Sequence, residues 1–427
     1  EDKEYVVILD FIGNYKNNFM IPIALSGDRS YNKDNVRKYG VSGNSLIPGA
    51  STIHFDEISK ERIFNAVDNL KSMKALIKES YTSLKNRLGR IPRLVDFYEN
   101  EEVDPMIIIR EYKTYYAMLK AMEKKQEIEE LSDSETLILE YLSKTILSGV
   151  RPQELELLKM LLEHNEVSIE EFQEDVSVEF GYLLDMNAIQ NTIRILQGHF
   201  HINSAEHQKY AQIDILKVNE NKRIQRLNSF VSKLNESEFR KELNDIISFG
   251  LHRYKDKYNQ NKNQGVPFVL YEQYSRRDIC FLMNCEKDLS SVMYGMKRIE
   301  DDVFIFVTYH KKQTKDASKK YVDGKPDYDD RFESNQIFCW DTQLGKGINS
   351  SYSQSVITAS RKHLMVQKRD RQIKFYYLGQ FDILEVKPAK KLNQKGKEQD
   401  IAKFRVKMRN PVREDIWQYF LSNVDEE

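Results

Sequence analysis

The stretch IKFYYLGQFDIL, residues 373–384, decides how the C-terminal part of this chain folds. Apolar and aromatic residues crowd it, a glycine interrupts it and charged residues bracket it, which is the composition of a β-strand. Working outward, VFIFVTY (303–309), QIFCWDT (336–342), HLMVQK (363–368) and KFRVKMR (403–409) have the same character and are separated by charged or glycine-containing turns. Five or more such runs within residues 268–427 predict a mostly β domain, a curved sheet or open barrel with few helices. One helix is expected at its start, where Ser275 can cap and Asp278 favours the first turn of RRDICFLMN.

Upstream the period changes to 3.6. From Ser132 to about Tyr258, Leu137, Leu139, Leu142, Ile146, then Leu155, Leu158, Leu161, Leu162, then Ile189, Ile193 and Leu196 recur at helical spacing, with no strand signal. Ser132 followed three residues later by Glu135 predicts a capping box. A further helix is expected over residues 57–88, stopped by Gly89 and Pro92, and a compact helical unit follows it. The polar run YNQNKNQGVP, 258–267, reads as a linker. At the other end, YVVILDFI (5–12) closed by Gly13-Asn14 reads as a strand buried in a parallel sheet, which cannot stand alone and is expected to complete a domain begun upstream. The start at Glu1 fits a cut through a longer protein. The resulting expectation is an α+β chain: residues 1–50 the tail of an α/β lobe, 51–131 a helical coupling module, 132–258 a helical bundle, 259–267 a linker and 268–427 a β-rich domain.

Composition excludes other classes. With 40% hydrophobic and 31% charged residues the 427-residue chain is neither disordered nor a membrane protein, and a cytoplasmic address is expected. Cys280, Cys285 and Cys339 match no four-ligand zinc spacing and are expected as free thiols. The net charge of −1 hides an asymmetry: residues 99–179 are acidic in balance, whereas 361–413 hold 16 Lys/Arg against 5 Asp/Glu. Phe375, Tyr376, Tyr377, Phe381 and Phe404 lie among those cations, and cations interleaved with rings are what a nucleic-acid surface needs, although the same rings serve equally well as the core of a sheet.

No G-x-x-x-x-G-K-[ST] phosphate loop occurs, so this chain is not expected to hydrolyse ATP by itself. His310, Lys312 and Asp316 only approach the H-x-K pattern of phospholipase-D-type nucleases. Glu385-Val386-Lys387 with Asp370 or Asp382 resembles the D…(D/E)-x-K core of restriction nucleases, a short and common pattern. His199 and His201 stand two apart, a spacing more often structural than metal-binding. No catalytic or metal residue is therefore assigned. The most informative cluster is QIFCWDT: Phe338 and Trp340 share one strand face, and Asp341 follows. With Tyr352 as a further wall, these residues would supply a ring to stack on a flipped base, a carboxylate to accept from a cytosine amine and an apolar wall for a methyl group. The competing reading is a core tryptophan beside a turn aspartate.

The segments EYVVILDFIGNYKNN, IPIALSGDRSYN, IPGASTIHFDEISKERIF, GRIPRLVDF, LYEQYSRRDICFLMN, IFVTYHKK, YDDRF…FCW and FYYLG together resemble a bacterial family that joins a phospholipase-D-type nuclease, a superfamily-two helicase and a C-terminal domain. The resemblance spans residues 4 to about 419. It implies ATP-dependent type IV restriction endonucleases that attack DNA carrying 5-methylcytosine or 5-hydroxymethylcytosine. This chain would then hold the coupling and target-recognition region, with ATP and Mg²⁺ used by nuclease and motor domains outside it and no cofactor of its own. Related sequences often carry tryptophan where Cys285 stands, which implies a substituted core position. Through SYSQSVITASRKHLMVQKRDRQIKFYYLG the likeness places Arg361, Lys368, Arg369, Arg371 and Lys374 on a strand pair and its turn, where they would grip the DNA backbone. The implied partners are double-stranded DNA with a modified cytosine, the upstream helicase and nuclease domains and a second copy of the chain, with no membrane. From the implied function, an SRA- or PUA-like open barrel is expected for the β domain. The alternative is a structural or oligomerising appendage of a helicase that holds DNA by charge alone, and a third reading is a nuclease using Glu385 and Lys387.

Overall fold

A computed structural model of the chain describes residue 61 and residues 73–124, 127–259, 266–310, 321–322, 325–326, 328–369, 373–393 and 395–421. The strand expected over 5–12 and the rest of the tail lie outside the described residues. The chain divides into two compact units, residues 1–111 with 414–427, and residues 112–413.

In the first unit, helix α1 (Met73–Leu88) buries Ile77, Tyr81 and Leu84, one face at i, i+4 and i+7 spacing. Helices α2 (Leu94–Glu99) and α3 (Pro105–Tyr112) follow, and Pro105 opens the latter where a missing N–H costs nothing. Phe97 stacks on Tyr81 with centroids 6.5 Å apart, and Arg90 forks onto Asp96 at 2.7 and 2.8 Å to brace the turn between α1 and α2.

The helical half of the second unit contains α4 (Tyr115–Met122), α5 (Asp133–Thr145), α6 (Gln153–Glu163), α7 (Ile169–Phe180), α8 (Met186–Leu196), α9 (Ser204–Tyr210), α10 (Asn228–Lys233) and α11 (Ser237–Arg253). The predicted Ser132–Glu135 capping box is formed, and Ser168 with Glu171 makes a second. Periodicity did not disclose a small antiparallel sheet of β1 (Glu166–Val167), β2 (Leu216–Val218) and β3 (Ile224–Arg226) inside this half. Strands of two or three residues are too short to display a period of two.

The β half is built as expected: mostly strands, entered through β4 (Gln273–Ser275) and α12 (Arg276–Leu282), whose Ser275–Asp278 capping box is present. The strands are β5 (Met296–Ile299), β6 (Asp302–His310), β7 (Tyr321–Val322), β8 (Lys325–Pro326), β9 (Arg331–Phe332), β10 (Ile337–Asp341), β11 (Arg361–Arg369), β12 (Lys374–Leu392) and β13 (Glu398–Met408). Helix α13 (Ser351–Thr358) precedes β11, and α14 (Glu414–Leu421) closes the described chain. The main sheet has eight strands in the order β5-β6-β11-β12-β13-β10-β9, with β4 on β12, and its end strands are not paired with each other. Only β6 and β11 run parallel among these pairs. Strand β12 has 19 residues and serves two partners in turn, β11 and β4 through its first half and β13 through its second. Register slips opposite Leu364/Met365 and between Ile383/Glu385, with Gly379 at φ +104, curve the strand between the two partners.

At the centre of the sheet lies a buried polar chain. His363, fully buried, meets Asp302 through Nε2 at 2.7 Å and the Tyr377 hydroxyl through Nδ1 at 3.1 Å, while Arg361 forks onto the same carboxylate at 2.7 and 2.6 Å. Burial, outweighing the attraction of Asp302, holds His363 below its ordinary pKa, and hydrogen bonds from His363 and Arg361, outweighing burial, bring Asp302 down to about 2. For both groups the unfolded chain binds the proton more tightly. Stability is therefore full above pH 6.5, begins to fall below it as unfolded His363 protonates, and falls again from pH 3.8 towards 2 through Asp302. Urea unfolding measured from pH 8 to 2 is expected to show both declines, and Asp302→Asn to lack the lower one. An unchanged acid limb in that variant would remove the assignment.

The two halves of this unit are joined by buried polar contacts across α12 and the residues after it. Arg151, at the α5–α6 junction, donates Nε to Glu154 at 3.0 Å, Nη1 to Asn284 Oδ1 at 2.7 Å and the Phe281 carbonyl, and Nη2 to Asn191 Oδ1 at 2.7 Å and Glu154. Asn191 in turn donates to the Cys285 carbonyl at 2.7 Å. Phe200 stacks on Phe281 at 4.3 Å, and Arg277 pairs with Asp288 at 3.3 Å. The helical half thus grips the β half by the end of one helix.

Candidate nucleic-acid interface

Trp340, on β10, is 4% exposed and lies between Phe404 of β13, 5.1 Å away between centroids, and Tyr352 of α13, 6.3 Å away and nearly parallel. Phe338 is on the same strand face, fully buried against Phe332. The structure therefore brings Trp340, Tyr352 and Phe338 to one side of the sheet. Asp341 it does not: the residue still belongs to β10, in register with Lys403, so alternation points it to the other face. There its carboxylate accepts from Lys391 at 2.8 Å and from the Asp329 N–H at 3.0 Å, which ties β9, β10 and β12 together.

The cations chosen from sequence scatter. Arg361 is committed to Asp302. Lys368 is 3% exposed, because β11 is a central strand covered on both faces and offers no solvent side to a residue in its middle. The side chain of Arg369 and the whole of Arg371 lie outside the described residues. Lys374, half-buried at the start of β12, keeps an accessible position. Much of the basic excess further along is matched within the fold: Arg405 with Glu333 at 2.8 Å, Lys403 with Asp329 at 3.5 Å, Arg409 with Asp382 at 3.2 Å and Lys390 with Glu398 at 3.5 Å. Glu385 and Lys387 pair with each other at 2.8 Å, so the nuclease-like trio is not assembled, and Asp370 lies outside the described residues. No group of three or more potential metal-ligating residues occurs among the described residues.

A different set of residues surrounds Tyr352. The α13 N-terminus is fixed by Ser350, which accepts from the Ser353 N–H, and the Lys346 carbonyl accepts from Thr342 and Ser353 at 2.7 and 3.0 Å. That places the Lys346 ammonium 5.9 Å from the Tyr352 ring centroid. The Tyr352 hydroxyl is buried, has no hydrogen-bond partner and is pushed well above the usual phenol pKa by burial. It faces Gly295, at φ +69, where a Cβ would come within 2.9 Å of the hydroxyl and 2.7 Å of the Gln343 amide nitrogen. Glycine is required there on both counts. Next to it Tyr294 is 61% exposed. Sequence reading missed Gly295, Gln343 and Lys346 because Gly295 comes from a loop about fifty residues from the one that carries Gln343 and Lys346, and no spacing rule connects the two.

The family described as a domain of unknown function, DUF8090, matches residues 77–258, and that described as a domain of unknown function, DUF3427, matches residues 268–420. A search among curated proteins finds no match. One solved structure, described as the sulfur binding domain and SRA domain of ScoMcrA complexed with phosphorothioated DNA, aligns at 10% identity and a TM-score of 0.21, covering 64% of this chain and 90% of that chain. At that TM-score the likeness says nothing about how this chain folds or what it binds.

Proposed function

We propose that the β half is a DNA target-recognition module that reads a modified cytosine, and that the helical half passes the binding event on to other domains. In this reading the chain is the coupling and recognition region of an ATP-dependent type IV restriction endonuclease resembling SauUSI, with nuclease and motor outside it. The observation that carries the proposal is the Tyr352 hydroxyl: a buried polar atom without a partner, on a ring stacked with Trp340, beside the Gln343 amide and under an ammonium. Buried polar atoms are nearly always paired, and an unpaired one at a ring-lined surface fits the edge of a base. Stacking on the Tyr352–Trp340 pair would recover the cost of flipping, Tyr352 and Gln343 would meet the polar edge, and Lys346 a phosphate. Asp341, spent on Lys391, serves in this scheme as a brace for the site. Internal pairing of so many cations weighs against binding by charge alone.

The test is a gel shift with duplexes of one sequence, methylated and unmethylated, using the chain and Tyr352→Phe. The variant keeps the ring and removes one hydroxyl, so its stability should be unchanged or slightly higher. Its affinity for methylated DNA should fall about three- to tenfold, the worth of one hydrogen bond, with unmethylated binding unaffected. Equal binding of both duplexes by the unaltered chain would sink the proposal.

A further inference from the structure

Arg276, the first residue of α12, has surroundings unlike those of the other arginines described above. Its guanidinium carbon lies 5.1 Å from the ring centroid of Tyr294, 5.5 Å from Phe306 and 4.9 Å from Phe375. Three rings hold it, yet among the described residues no carboxylate pairs with it and its buried Nε has no hydrogen-bond partner. Burial alone holds its pKa below the ordinary arginine value. By contrast, Arg151 uses all its nitrogens and Arg361 forks onto Asp302, and Arg277, whose Nε is likewise buried without a hydrogen-bond partner, still pairs with Asp288. A half-buried guanidinium without an anion is a cost that a methionine or leucine would avoid, and rings that fix its orientation prepare it for a bidentate anion from outside.

One neighbour defines what that anion carries. Tyr294 is 61% exposed, and because the guanidinium covers one of its faces, the open area is the outward face, free for a planar ring. Lys374 pairs in register with Ser275, the residue before Arg276, but it precedes Phe375 in β12, so alternation points its side chain to the face opposite the one on which Phe375 meets Arg276. A clamped guanidinium and an open aromatic face together match a phosphodiester and the unpaired base attached to it. Gln343 connects this place to the Tyr352 site, since its amide donates to the Tyr294 carbonyl at 3.4 Å and touches Gly295.

We infer that Arg276 and Tyr294 form a second nucleotide subsite, which holds a phosphate and stacks an unpaired base of the DNA strand next to the nucleotide read at Tyr352. This rests on the DNA-binding reading of the same surface, and it adds a strand path with a fixed direction away from the α13 side of the sheet.

The experiment measures fluorescence anisotropy of the chain, Arg276→Met and Tyr294→Ser with a labelled single-stranded oligonucleotide and with methylated and unmethylated duplexes over a salt series. A parallel arm uses a deoxynucleoside monophosphate as competitor. Arg276→Met keeps the packing between the rings, and Tyr294→Ser alters an exposed side chain, so that one remains informative if the other melts early. Each is expected to weaken single-stranded binding about tenfold. Arg276→Met should also flatten the log-log salt slope by about 0.7, the value for one phosphate on a single strand, whereas Tyr294→Ser leaves the slope unchanged. The methylated-to-unmethylated ratio should survive in both variants. Variants that bind like the unaltered chain, while that chain still prefers methylated duplex, overturn the subsite and leave the proposed function standing. Loss of single-strand binding in the variants, with no methyl preference in the unaltered chain, upholds the subsite and removes the modified-cytosine reading. Displacement of the oligonucleotide by micromolar mononucleotide would assign the site to a free nucleotide and overturn the strand path.

Discussion

Arg151→Ala is expected to destabilise the unit of residues 112–413 by about 3–5 kcal/mol. The alanine leaves Glu154, 1% exposed, with a buried uncompensated charge, and strips partners from Asn191, Asn284 and the Phe281 carbonyl at once. Arg151→Lys should recover only a small part of the loss, because a single ammonium cannot reach acceptors arranged for a five-donor fork. Urea unfolding followed by far-ultraviolet circular dichroism measures the midpoint, and tryptophan fluorescence in a Trp417→Phe background, where Trp340 is the remaining indole, reports the β half separately. In the unaltered chain the two probes should coincide. In Arg151→Ala they should separate, since the helical and β halves lose the contact that makes them unfold together. A loss below about 1 kcal/mol with coincident probes would mean that the stacked Phe200–Phe281 pair carries the joint and Arg151 does not. If recognition in the β half is passed to the helices, this same contact is the route available to it within the unit.

Trp340→Ala should cost a similar amount, about 3–5 kcal/mol, because the indole is 4% exposed and fills the space between Phe404 and Tyr352. The variant is expected to lose preference for methylated DNA as well, but the two effects share one cause: without the indole, Tyr352 has nothing to lie on. Comparing the two site variants at a temperature where both remain folded separates them. Tyr352→Phe should lose affinity without losing stability, and Trp340→Ala should lose both. Thermal unfolding in which Trp340→Ala matches the unaltered chain to within a few degrees would place the ring at the surface and contradict its burial.

The order of structures along the chain is legible without any fold, because secondary structure is written in local periods. The shift from 3.6 to 2 near residue 267, the capping boxes at Ser132 and Ser275 and the strands at 303–309, 336–342, 363–368, 373–384 and 403–409 each depend on neighbours a few residues away. The shared face of Phe338 and Trp340 is equally legible, since it follows from alternation alone. Which charges find a partner, by contrast, depends on how the strands pair. The excess of cations in 361–413 looked like a surface for phosphate, yet Arg361, Lys403 and Arg405 find Asp302, Asp329 and Glu333, carboxylates that lie before that window and reach it only through strand pairing. Lys368 read as a phosphate ligand and proved buried, since nothing local says that β11 is central in its sheet. Conversely, Arg276 stands in a helix start that gives no hint of binding, and only the fold surrounds it with Tyr294, Phe306 and Phe375 while pairing it with no carboxylate among the described residues. Charge and periodicity are properties of a segment, but whether a charge is satisfied depends on strands that meet from far apart in sequence, and a one-dimensional count cannot register that.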